Sequence, residues 1–188
     1  DVVEVCTAVK GPMLRSMTEG PEDCIIYLDP DTAVFNSLAP LVDILRSRSV
    51  ILTPHQLVPE TTDAAVVDNE ICSLAHGTYN LGFIAIRNDA NGKKLAKWWE
   101  ERLLKYCVDD KPTGLFVDQK WCDLVPALFE GVEVLRDPGY NVASWNLSNR
   151  KVGFDGSGGV TVNGSPLRFF HFTKLGPIGD VMTQKYAG

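Results

Sequence analysis

The sequence predicts an α/β domain: a mixed, mostly parallel sheet flanked by helices and lacking one strand–helix unit at its N-terminal end. Short apolar runs at Cys24–Leu28, 49–53 and 81–86 have the pattern of strands buried on both faces. They alternate with stretches of helical periodicity, most clearly 88–107. Asn163-Gly164, set between apolar segments 160–162 and 167–172, is a two-residue hairpin signal and adds an antiparallel element.

Taken in order, residues 5–17 carry helical spacing that Gly11-Pro12 should kink. Pro21-Glu22-Asp23 makes the turn into the first strand. Ser37 can cap a short helix with Leu38, Leu41, Val42 and Leu45 on one face. Pro54 closes the second strand, and 55–78 is polar and irregular, the mark of a surface excursion or lid. The helix at 88–107 places Leu95, Trp98, Trp99, Leu103 and Cys107 on one stripe. A further helix follows Asp118 with Trp121, Leu124, Val125 and Leu128 inward, and 132–135 is a short strand. The chain opens with Asp1 and a helix, whereas nucleotide-binding α/β domains begin with a strand. That order predicts an upstream unit beyond this sequence.

A length of 188 residues suits one domain, 1–188. A net charge of -6 shows no basic face for nucleic acid, yet an acidic protein can hold a diphosphate when a divalent cation stands between them. The five cysteines contain no Cys-x-x-Cys pair, which argues against a disulfide framework or zinc knuckle and for reduced thiols in the cytoplasm. No transmembrane run or signal peptide is visible.

Ligands in such sheets bind at the carboxyl ends of strands. Asp29-Pro30-Asp31 directly follows the first strand, and two carboxylates there concentrate negative charge that a hard divalent cation would neutralise. A capped turn with two solvated aspartates is the other reading of the same residues. Asn80-Leu81-Gly82 opens a strand, so it reaches the same rim only if that strand is reversed. His171 closes the last strand; alone, it also fits a hydrogen-bonded structural histidine.

"IIYLDPDTAVF" (25–35) resembles the Asp-x-Asp hallmark of glycosyltransferases with the A-type (GT-A-like) nucleotide-diphospho-sugar transferase fold. "YNLGFIAIRN" (79–88), "LFVDQKW" (115–121) and "FFHFTKLGP" (169–177) resemble, in this order, the asparagine–glycine strand, Asp-Gln segment and terminal histidine segment of glycosyltransferase family 8. The run 6–10, the Trp98-Trp99 helix and "DPGYNVASWNL" (137–147) look like a bacterial glycosyltransferase domain related to that family. The similarity covers nearly the whole chain.

The resemblance implies a single catalytic domain, shortened at its N-terminus, that moves a sugar from a nucleotide-sugar donor to a carbohydrate or other acceptor with retention of configuration. It implies Asp29, Asp31 and His171 as ligands of Mn2+ or Mg2+, the imidazole favouring manganese. It places Asp118, Gln119 and Asn80 at the catalytic centre. Lys10, Thr7, Asp29, Gly82, Lys174 and Gly176 would contact substrate. The terminal segment lacks the family's usual Lys-Pro-Trp ending, and Lys174 is the residue this affects. His55 and His76 are candidates for acceptor contacts. Two other readings remain: a non-catalytic nucleotide-sugar or carbohydrate-binding domain, and a haloacid-dehalogenase-type phosphohydrolase. The latter would want threonine or valine in place of Ala33 and a later acidic pair at a strand end, whereas Asp109-Asp110 follow a long helix.

Overall fold

Four strands make the central sheet of the computed structural model, which describes residues 2–173 and 176–186. The chain enters through α1 (Val2–Ala8) and α2 (Lys10–Met17), which break at Val9 rather than at Gly11-Pro12. Pro12 is tolerated because the first turn of a helix has no internal partner for its N–H. Gly11 lets α2 approach its neighbour: a Cβ there would lie 2.8 Å from the Cα of Glu100. Next come β1 (Cys24–Leu28), β2 (Thr32–Val34), α3 (Ala39–Leu45) and β3 (Val50–Leu52). Ser37 accepts from the Ala39 N–H but sits one residue outside the cap position, which Leu38 takes.

Of the stretch expected to be irregular, 55–62 is so, but 63–76 is a continuous helix. It begins as α4 (Asp63–Ala65), passes through π-type turns over Val66–Ile71 and ends as α5 (Cys72–His76). Its wider turns break the 3.6-residue pattern, which explains why the sequence reads as loop. β4 (Phe83–Arg87) leads into α6 (Ala90–Tyr106), capped by Asp89 accepting from the Gly92 N–H. The hairpin β5 (Asp109–Asp110) and β6 (Leu115–Phe116) is followed by a 3-10 segment (Lys120–Leu124) and the short α7 (Val125–Leu128). This tighter winding turns Cys122 and Val125 inward and leaves Leu124 and Leu128 exposed, contrary to the expected face. β7 (Val132–Val134) completes the sheet.

The sheet order is β1-β4-β3-β7. β1, β3 and β7 share one direction, while β4 runs against both of its neighbours. The expectation of a mostly parallel sheet is therefore corrected: only β3 with β7 pairs in parallel. An apolar run records burial on two faces and carries no information about strand direction. Alternation then divides the core. Ile84 and Ile86 of β4 pack with Leu14, Leu95, Trp99 and Leu103 of α2 and α6. Phe83 and Ala85 pack on the other side with Leu41 and Leu45 of α3. The helix stripe Leu95, Trp99, Leu103 and Cys107 is buried as the spacing requires.

After β7, β8 (Val152–Phe154), β9 (Val160–Val162) and β10 (Ser165–Pro166) form a small antiparallel sheet. Asn163 and Gly164 adopt φ of 49° and 84°, as a tight hairpin turn demands, but the returning strand is β10. The next strand, β11 (Phe169–His171), leaves that sheet to pair with β2, placing His171 opposite Thr32. The helix α8 (Pro177–Tyr186) ends the described structure.

Candidate metal centre

Reversal of β4 brings its first residues to the rim where β1 ends. The Asp29 N–H donates to the Gly82 carbonyl at 2.8 Å, and the Asn80 N–H to the Thr53 carbonyl at the end of β3. The β2–β11 ribbon closes the same corner, with the Phe172 N–H donating to the Asp31 carbonyl. Asp29, Asp31 and His171 thus converge, each offering one ligand atom within 4.8 Å of the others. His171 Nε2 lies 3.1 Å from Asp31 Oδ1 and 3.9 Å from Asp29 Oδ2.

Asn80 determines how the imidazole is presented. Its Oδ1 accepts from the Gly82 backbone N–H at 3.0 Å, a group that can only donate, so the amide orientation is settled. The same oxygen faces His171 Nδ1 at 3.2 Å, which must then carry the proton. Nε2 is left with a free lone pair directed at the two carboxylates, the arrangement a metal-binding histidine needs. The other end of the Asn80 amide donates to His55 Nε2, and His55 Nδ1 faces the Thr78 carbonyl. One asparagine therefore holds His55 neutral and orients the His171 ring. Burial lowers the pKa of His171, against the pull of Asp31 and Asp29, and burial lowers that of His55 to about 4.

Gly82 gives the ring its space: a Cβ at this position would stand 2.3 Å from His171 Cε1. The glycine read from sequence as lining a sugar packs here against the imidazole. Asp29 is held from its other side, with Oδ1 accepting from Tyr27 Oη at 2.5 Å and lying 2.9 Å from Lys10 Nζ. Lys10, buried at the start of α2, also meets Asp118 Oδ2 at 3.0 Å and donates to the Leu81 carbonyl. Burial opposes its charge, but Asp118 and Asp29 outweigh that and raise its pKa above the ordinary lysine range. Burial likewise raises the pKa of Asp118, against the attraction of Lys10. Val117 sits at φ 36°, a region costly for a β-branched residue, immediately before Asp118.

The remaining expected residues are placed less centrally. Gln119 spends both ends of its amide on backbone, accepting from the Leu81 N–H and donating to the His76 carbonyl. Thr7 bonds to the Val3 carbonyl and meets Cys107 Sγ, with no bond to the acidic cluster among the described residues. Gly176 adopts φ 114° just before α8, and Lys174 lies outside the described residues. His76 caps the end of α5 beside Phe116. Three contributors escaped the sequence reading. Tyr27 shares Asp29's side of the chain by strand alternation, a signal that was present. Asn141 donates to Asn80 Oδ1 and Thr53 Oγ1 from φ 51°, and Trp145 stacks edge-on to His171 at 5.4 Å.

These residues fit a divalent cation. Adjacent ligands of an octahedral ion at ordinary bond lengths stand about 3 Å apart, close to the His171–Asp31 separation. Lys10 pairs with Asp29 and Asp118 while Asp31 faces His171, so a neutral His171 leaves the corner with excess negative charge. Asn141 Oδ1 and Thr32 Oγ1 are also buried without partners among the described residues.

Among known proteins, the chain is 29% identical over 175 residues to the uncharacterized protein YfnF of Bacillus subtilis, covering 92% of this chain and 57% of that protein. It is 26% identical over 174 residues to the uncharacterized protein YfnD of the same organism, covering 90% and 53%. The chain thus spans little more than half the length of these curated relatives. No family model and no solved structure matches it. No helix among the described residues is long and apolar enough to cross a membrane.

Proposed function

We propose that the chain is the catalytic domain of a cytoplasmic, metal-dependent glycosyltransferase that takes a sugar from a nucleotide-diphosphate donor. The observation that carries this reading is the convergence of Asp29, Asp31 and a neutral His171 at the carboxyl rim of the sheet. A manganese or magnesium ion held by these residues would supply Lewis-acid stabilisation of the diphosphate leaving group. In the transfer, the bond between sugar carbon and diphosphate oxygen breaks and the acceptor oxygen takes its place. The products are the glycoside, the nucleoside diphosphate and the proton lost by the acceptor. Retention of configuration follows from the family resemblance alone.

The chain's own residues would act by holding charge in place. Asn80 orients His171, while Lys10 and Tyr27 fix one oxygen of Asp29 and leave the other facing the imidazole. Fixed dipoles of this kind act on developing charge without reorganising. Asp109 pairs with Lys111 and Asp110 lies opposite Leu115 of β6, with no contact to Asp29 or Asp31 among the described residues, which does not favour the phosphohydrolase reading.

A thermal-shift panel of nucleotide sugars, with and without manganese, tests the proposal. Stabilisation is expected only when both are present, by binding linkage, and is lost in Asp31→Ala. No response to any donor, or an equal response in the variant, would contradict it. Metal-dependent binding without transfer or hydrolysis would leave a binding domain instead.

A further inference from the structure

Among the buried charged residues, Arg150 stands apart. It is 2% exposed, yet no carboxylate pairs with it among the described residues. One terminal nitrogen donates to the Pro138 and Tyr140 carbonyls, which hold the guanidinium still without neutralising it. Its Nε is buried with no partner among the described residues. Burial lowers the pKa of Arg150 to about 10 against the attraction of Asp137, the mark of a desolvated charge that no carboxylate contacts directly among the described residues.

Arg150 lines a cavity of about 590 Å³ together with Lys151, Ser148, Phe170, Thr183 and Tyr186. That volume lies within the range of small-molecule sites. Lys151 is exposed and has no ion pair among the described residues, so two cations meet in a chain whose net charge is -6. Asp137, the carboxylate that attracts Arg150, accepts from the Gly139 N–H. Asp68 takes Tyr186 Oη at 2.6 Å and Lys185, anchoring the end of α8, while Glu60 accepts from Ser148 Oγ. Phe170 and Tyr186 supply aromatic surface for an organic body beside the charge. Phe170 and Thr183 also line a neighbouring cavity of about 250 Å³ that contains His171. The two cavities thus adjoin along α8, and Asp180 also lines the second.

We infer that the Arg150–Lys151 cavity is an oxyanion-binding site that takes the phosphate or carboxylate of an organic ligand. On the glycosyl-transfer reading, on which this part rests, that ligand is the acceptor, anchored by its charge with its reacting end towards the cavity that His171 lines. Charge complementarity would give specificity as well as affinity.

Thermal melting in EDTA separates this site from the metal centre. Glucose 6-phosphate, glucuronate and neutral glucose serve as probes. At least one charged probe should raise the Tm while glucose does not, and the better of the two tells phosphate from carboxylate. Lys151→Glu, which puts a carboxylate beside Arg150, should weaken the response about tenfold or more. Lys97→Glu, the same charge change on the exposed face of α6, should retain it. Because Arg150 is buried, Lys151 carries the decisive substitution. Silence from both charged probes, or an undiminished response in Lys151→Glu, would overturn the site. A persisting response in a chain that ignores every nucleotide sugar would remove the acceptor assignment and leave the anion site standing.

Discussion

At the scale of single residues, Asn80 joins two imidazoles that must stay neutral for different reasons. His171 presents its lone pair to the carboxylates, and His55 accepts the amide proton of Asn80. Asn80→Ala removes the acceptor for His171 Nδ1, and loss of such an outer partner costs about 10- to 100-fold in metal affinity. Calorimetric titration with manganese should show that loss, and Asn80→Asp should restore part of the affinity. The pH dependence follows from His55. Its pKa falls from 6.5 to about 4 on folding, so the unfolded chain takes up a proton that the folded chain refuses. Stability should therefore fall as pH drops from 6.5 towards 4, since protonated Nε2 would confront the Asn80 N–H. Urea midpoints at pH 7.5 and 5 check this, and His55→Gln should narrow the difference. An unchanged difference would count against the neutral His55.

At the scale of elements, the site exists because β4 is reversed and β11 leaves its hairpin for β2. Neither event is written in local residue pattern. Apolar runs located the strands without their directions, and Asn163-Gly164 located a turn without its partner. The Asp-Pro-Asp segment was legible because it abuts a strand, and Tyr27 could have been read from the same alternation. The Asn80–His171 contact spans 91 residues, and no local pattern encodes such a pairing. The family resemblance named both residues, one for the sugar and one for the metal, without their contact. Gly82 tests the element packing directly. A Cβ there would overlap the His171 ring, so Gly82→Ala should displace the imidazole and weaken manganese binding. Gly153→Ala, whose Cβ would meet nothing closer than 3.6 Å, should leave binding unchanged. Equal affinity in both variants would show that the ring does not depend on this space.

For the whole molecule, an acidic chain gathers carboxylates at one sheet rim and two cations, Arg150 and Lys151, at a cavity beside α8. That polarity suits a metal-bridged diphosphate at one end and a charged second ligand at the other. The most direct test is titration of the intact chain with Mn2+, followed by electron paramagnetic resonance of the free ion. One ion should bind per chain in the wild type, with binding lost in both Asp31→Ala and His171→Ala while each variant remains folded. Wild-type protein that leaves all the manganese free, or variants that bind it as the wild type does, would contradict the account.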